Sequence, residues 1–283
     1  MQSRPAYLPY LLLAPSVLFL AAFFLYPLAE TVLLSLRTAE GFSFDNYRRM
    51  AGDLNFAPAL GNTFLLVGVV VPLQIALALG LAQMLTKISR GREMVLWIWT
   101  IPMGVSDLAA GLVWLALLTD RGYLNSALFA LGLIDGPTGW LSYETPVTLF
   151  VAIVLAELWR ATAIVLVILV AGFGLIPKEY GEAAEIFGAT PWQRFTRVTL
   201  PLLKPSLQTA LILRTVLAFE VFAVVFALGG RNFPVLVSEA YVWQFENQSY
   251  AVASAYAVVV MAISLGATAV YLRVLRVKPE ARL

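Results

Sequence analysis

The 283-residue chain contains no cysteine and no histidine. Those absences remove disulfides, Cys/His metal sites, cysteine nucleophiles and every catalytic triad that needs an imidazole base. Charge is scarce too: Asp, Glu, Lys and Arg make up 13% of the chain, about half the usage of soluble domains. None of the four lysines, Lys87, Lys178, Lys204 and Lys278, follows a glycine. The G-x-x-x-x-G-K-[ST] loop that cradles nucleotide phosphates is therefore missing. A formal net charge of +2 is too small to point to nucleic acid. What is abundant is apolar surface, at 60% of residues, which is too much for a water-soluble globule.

The apolar residues run in stretches long enough to cross a bilayer, which takes about 20 helical residues with every backbone group bonded internally. Six qualify: 8–36, 63–85, 94–118, 147–175, 205–228 and 251–272. We expect an all-α integral membrane protein of six transmembrane helices, forming one domain over 1–283. The first stretch is 29 residues long, with only Arg4 before it. It exceeds the apolar core of a signal peptide and reads as a retained span.

Six spans place both termini on one side, and basic loop residues choose the side. With the termini in the cytoplasm, the inner loops and ends carry Arg4, Lys87, Arg90, Arg92, Lys178, Arg194, Arg197, Lys204, Arg273, Arg276, Lys278 and Arg282. The outer ones carry Arg37, Arg48, Arg49, Arg121 and Arg231. Twelve against five favours cytoplasmic termini. Outside, residues 125–133 can form a short amphipathic surface helix, with Trp140 as an interfacial anchor.

The connection 176–204, between the fourth and fifth spans, is too long for a simple link. Helix formers from Glu179 to Phe187 end at Gly188, suited to a left-handed C′ position. Thr190 then caps a second short helix with Pro191 at its first position. Ala183 and Ala184 leave a smooth face, and Glu182 and Glu185 offer charges beside it. Read from composition alone, this is also compatible with a helix lying on lipid.

The spacing is more specific. Glu182-Ala-Ala, three residues, Gly188, nine residues, Val198, one residue and Leu200-Pro201 resembles the EAA loop of ABC-importer permease subunits, with Val198 where isoleucine is usual. Further landmarks extend the resemblance to the maltose-type sugar permeases: Phe44-Asp-Asn-Tyr47, Asn62-Thr63, Ile101-Pro102 with Asp107, Trp114, the 125–140 segment and Ala171-Gly-Phe-Gly-Leu-Ile-Pro177. The stretch Leu228-Gly-Gly-Arg-Asn-Phe-Pro234 departs from the family's usual Thr-Gly-Gly-Gly-Pro, and 235–245 could re-enter the membrane or pack as an outer helix.

The resemblance implies a type I ABC importer permease fold in a bacterial or archaeal cytoplasmic membrane, and a subunit without catalysis of its own. It implies a second permease, most simply a heterodimer partner, two ATPase subunits carrying ATP and Mg, an extracytoplasmic solute-binding protein, a sugar substrate and surrounding lipid. No cofactor or metal is expected on this chain. Residues 179–190 become the coupling helix, with Glu182, Ala183, Ala184, Glu185 and Gly188 facing an ATPase subunit.

Six ionisable residues fall within the spans: Glu30, Asp107, Glu157, Arg160, Arg214 and Glu220. Each costs about 2.5–3.5 kcal/mol near mid-bilayer on insertion scales, so each should face a polar interior. Glu157 and Arg160 are three apart on one helical face and can pair, either as a structural clasp or as acceptor and donors for a ligand. In resembling importers the pocket is lined by this part of the fourth span and by the middle of the fifth. On that basis Glu157, Arg160, Phe219, Glu220 and Phe222 are the substrate-binding candidates, with an aromatic stacking on a sugar ring. Arg214 is expected to be a structural or gating partner. Asp107 is expected where the third span breaks or kinks, and Glu30 close enough to the outer surface to snorkel.

The favoured reading is a sugar-importer permease. Alternatives are a glycerol phosphodiester, polyol or other small solute as cargo, and a proton-coupled carrier using Asp107, Glu157 or Glu220. The last usually shows two similar halves, and no convincing internal repeat is visible.

Overall fold

The computed structural model describes residues 7–88 and 90–275. Arg4, Arg276, Lys278 and Arg282, and with them the expected placement of the termini, lie outside the described residues. Among the described residues five helices are long and apolar enough to cross a membrane: Tyr10–Leu36, Phe56–Lys87, Pro146–Gly174, Pro191–Phe219 and Tyr250–Val274. A sixth span is supplied if the bent pair Arg92–Gly104 and Asp107–Ala130 counts as one crossing. Among the described residues the one strand pairing is a two-residue antiparallel ladder, Arg37–Thr38 with Gly41–Phe42.

The first span carries Pro15 and a wide π-turn at Ala21–Leu25 before resuming as Tyr26–Leu36. None of its most apolar window is buried within the chain. The Phe56–Lys87, Pro146–Gly174, Leu200–Phe219 and Tyr250–Val274 helices build the main core, around Ile75, Val165, Leu166, Leu169, Ala210 and Tyr256. A second apolar cluster, around Leu66, Ile153, Val224 and Phe233, joins the Phe56–Lys87 and Pro146–Gly174 helices to Asp107–Leu118 and Ala223–Gly229. Close approach of helices is bought with a small residue at Gly172, where a Cβ would meet Ser206 Oγ at 2.3 Å and Leu203 Cδ1 at 2.9 Å. Small residues are the usual means of tight helix contact in lipid.

The third span is broken, as the Asp107 region suggested. Arg92–Thr100 tightens into a 3₁₀ turn at Ile101–Gly104, Val105 is extended, and Ser106 caps a new helix by accepting from Ala109 N at 3.2 Å. The two segments are bent by 97°.

The fifth span corrects two expectations. It does not run as one helix over 205–228, because the Leu200–Phe219 helix stops at Glu220 and a separate helix, Ala223–Gly229, follows. Hydropathy cannot distinguish a straight span from two halves; here Ala223–Gly229 turns to pack against Asp107–Leu118 and Pro146–Gly174. Nor is there an isolated short helix after Thr190. The segment starting at Pro191 continues through a π-turn at Phe195–Thr199 into Leu200–Phe219.

At the end of the bundle opposite the 176–190 connection, side-chain amides tie the backbone together. Asn46 donates to Ser35 O at 3.0 Å and Arg37 O at 2.9 Å. Asn62 donates to Pro234 O at 2.9 Å, and Thr63 Oγ1 accepts from Leu236 N at 3.0 Å. The 235–245 stretch is therefore pinned to the second span as a short helix, Leu236–Tyr241, with a π-turn at Val242–Glu246. The expected surface helix forms as Tyr123–Ala130. Trp140 is half-buried, and its indole N–H donates to Asn125 Oδ1 at 2.9 Å.

Candidate translocation site and coupling element

The Pro146–Gly174 helix crosses with its apolar side chains packed on both neighbours, and this carries Glu157 into the interior at 0% exposure. A buried carboxylate needs compensation, and arginines on two helices supply it, while a glutamine from a third holds the Glu157 backbone and Arg214. Arg214 Nη2, from the fifth span, donates to Glu157 Oε2 at 2.7 Å. Arg160 Nη2 donates to Glu157 Oε1 at 3.3 Å, fulfilling the expected i,i+3 pair. Gln74, from the second span, donates through Nε2 to Glu157 O at 2.8 Å and accepts through Oε1 from Arg214 Nε.

Arg160 also reaches across to the broken third span, donating to Asp107 Oδ1 at 2.6 Å. The result is one polar chain, Asp107–Arg160–Glu157–Arg214–Gln74, through four spans. It contains two carboxylates and two guanidiniums, so its formal charge closes to zero. Its exposure is graded: Gln74, Glu157 and Arg214 are buried, whereas the Arg160 side chain is 17% exposed and that of Asp107 52%. Arg160 Nε and Arg214 Nη1 have no hydrogen-bond partner among the described residues.

The expected clasp is thus larger than the Glu157–Arg160 pair. Arg214 belongs to it, and so does Gln74, which the sequence reading passed over. A glutamine inside the otherwise apolar run 63–85 was the available signal. Asp107 is brought in by the break at Val105–Ser106, which a straight third span would not provide.

The other substrate candidates do not join this network. Phe219 is buried, with its ring edge-on to Phe64 at 5.6 Å between centroids. Phe222 packs instead with Phe226 and Tyr241, at 5.2 and 5.1 Å. Glu220 is exposed at the helix break and lines a cleft against the sixth span. Glu30 is exposed on the first span. Among the described residues, no group of three or more acidic side chains is arranged to hold a metal ion.

The 176–190 connection folds as its residues predicted. Lys178–Ile186 is helical, and Gly188 adopts φ +78°. Gly188 N donates to Glu185 O and Ala189 N to Ala184 O, both at 2.9 Å, which together form a Schellman turn. Thr190 and Gln193 then form a reciprocal capping box with Pro191 at the first turn. Glu182, Ala183 and Glu185 are exposed, Ala184 partly so. Glu185 also pairs with Arg194, tying the short helix to the start of the fifth-span helix.

Residues 74–276 match the family described as the inner membrane component of binding-protein-dependent transport systems. The chain belongs to that family. It is the permease subunit of an ABC importer, a multi-pass membrane transport component.

Two curated relatives align over nearly the whole chain. The sulfoquinovosyl glycerol transport system permease protein SmoG of Agrobacterium fabrum is 34% identical, over 95% of this chain and 90% of the relative. The trehalose/maltose transport system permease protein MalF of Thermococcus litoralis is 32% identical, over 98% and 96%. A solved bacterial alginate ABC transporter, in complex with its alginate pentasaccharide-bound periplasmic protein, superposes with TM-score 0.81 at 22% identity, over 95% of this chain and 94% of that one.

Proposed function

We propose that this chain forms half of the translocation pathway of an ATP-driven carbohydrate importer, with neutral di- or oligosaccharides as cargo. Its relatives are named for trehalose and maltose, which are neutral, and for sulfoquinovosyl glycerol, a sugar that carries a sulfonate; the neutral reading follows the first. The observation that carries the reading is the partly exposed Asp107–Arg160 pair at the rim of a charge-neutral network. A carboxylate beside a forked donor matches the mixed donor and acceptor character of sugar hydroxyls, with no net charge to demand a counter-ion. Arg160 and Asp107 make the contacts in this reading, while Glu157, held from behind by Arg214 and Gln74, fixes Arg160.

The rest of the machine is assigned on the same footing. The 1–283 chain acts as one transmembrane domain with both termini cytoplasmic. Lys178–Ile186 docks on an ATPase subunit through Glu182, Ala183, Ala184, Glu185 and the Gly188 turn, and the opposite end receives a solute-binding protein. A second permease completes the pathway, and ATP and Mg belong to the ATPase subunits.

Coupling has a direct route in this reading. The helix from Pro191 to Phe219, about 43 Å at 1.5 Å per residue, is tied at one end to the docking helix by Glu185–Arg194 and carries Arg214 towards the other. Rigid-body movement of that helix would pull on the Glu157 network itself.

The test is ATPase stimulation in the reconstituted complex with its binding protein, across neutral disaccharides, polyols and glycerol phosphates. Stimulation by a neutral sugar, weakened in Arg160→Ala with the complex still assembled, is the expected result. Stimulation by an anionic cargo alone would overturn the neutral-sugar assignment and give the spare Arg160 Nε a different role.

A further inference from the structure

Four of the six mid-span ionisable residues neutralise one another: Asp107, Glu157, Arg160 and Arg214. Glu30, exposed on the first span, and Glu220 are left over. The Glu220 carboxylate makes no hydrogen bond or ion pair with any described residue, and it sits where the fifth-span helix ends.

Glu220 lines a cleft of about 400 Å³ whose other walls are Val216 on its own helix, Val237 and Ala240 on the pinned 236–241 helix, and one face of the sixth span. That face is Ala257, Val260, Met261, Ser264, Leu265 and Thr268. Ser264 is 7% exposed and its Oγ has no partner. Leu265, at the rim, is 62% exposed. The cleft therefore pairs long apolar walls with one unmatched carboxylate and one unmatched buried hydroxyl, and it is open at Leu265.

This shape is poor for a sugar, which needs polar partners around its whole edge. It suits a lysine or arginine, whose methylene stem lies on apolar walls while the charged head takes the acceptors. A cationic side chain at membrane depth has the complementary need for a carboxylate.

We propose that the Glu220 cleft receives a lysine or arginine from a transmembrane helix of the second permease subunit, with the stem between the fifth and sixth spans and the head on Glu220. This rests on the reading that a second permease completes the pathway. It assigns Glu220 to subunit pairing, in place of the substrate contact first expected.

The test uses the complete transporter. A photo-reactive benzoylphenylalanine replacing Leu265 leaves Glu220 intact and should cross-link to a second-permease peptide containing a membrane-embedded Lys or Arg. Separately, Glu220→Gln should lower the amount of second permease that co-purifies by about ten-fold, the order expected for one polar contact between membrane helices. Changing the identified basic residue to Glu together with Glu220→Lys should restore it.

Adducts to lipid or to the binding protein alone would overturn the proposal. So would Glu220→Gln shifting the sugar concentration for half-maximal ATPase stimulation while the permeases co-purify unchanged. If the wild-type chain co-purifies with no second permease at all, the underlying reading falls together with this one.

Discussion

Glu157 accepts from arginines on two different helices, and that arrangement sets what removing any one member should do. Breaking a buried ion pair by deleting one partner leaves an uncompensated charge and costs about 3–5 kcal/mol. Arg214→Ala or Glu157→Ala should each lower the thermal unfolding midpoint of the detergent-solubilised protein accordingly. The double variant Glu157→Leu/Arg214→Met should lose clearly less than the sum of the singles, because contacting residues are not additive. Strict additivity would mean that the two do not act as a unit.

A second buried carboxylate gives a pH prediction. Glu239, in the helix pinned to the second span, is 2% exposed, with Oε1 4.0 Å from Arg231 Nη1 and Oε2 unpartnered. Burial pushes its carboxyl above the usual glutamate value of 4.5, and nearby Arg231 only partly opposes this. A carboxyl raised in the folded state favours folding most when protonated. Its contribution is full below pH 4.5 and is lost as pH rises through the raised value. Unfolding midpoints of wild type and Glu239→Gln should therefore diverge as pH rises through that window, with the glutamine form the less sensitive. Parallel curves would contradict the assignment.

At the scale of elements, the turn after Lys178–Ile186 is the sharpest case of sequence dictating structure. Gly188 occupies a left-handed conformation that costs other residues about 1–2 kcal/mol. Gly188→Val should misplace the turn while leaving membrane insertion intact, so that ATPase subunits no longer co-purify and transport is lost. Glu182→Lys should have the same effect by reversing charge on the docking face. Normal uptake by both variants would remove the coupling assignment.

Gly188, Thr190 and Pro191 encode their geometry within a few residues, so their turn and caps were readable. Span existence was readable because bilayer thickness fixes a length. The stop at Glu220 and the joining of Pro191 to the fifth span were not, since both depend on which distant helix each segment packs against. Gln74 and Arg214 meet across 140 positions of sequence, and no local pattern announces such a partnership.

For the whole molecule, a neutral polar network joins four spans, a single helix runs from the Gly188 turn past that network, and an unmatched carboxylate lines an open cleft. Together these describe a part of a larger assembly whose movement is supplied from outside the chain. The most direct test is uptake of labelled neutral disaccharides into proteoliposomes containing the full complex. The account predicts accumulation that requires both internal ATP in the orientation of the ATPase subunits and the binding protein on the opposite side. Accumulation driven by a proton gradient without ATP would contradict it.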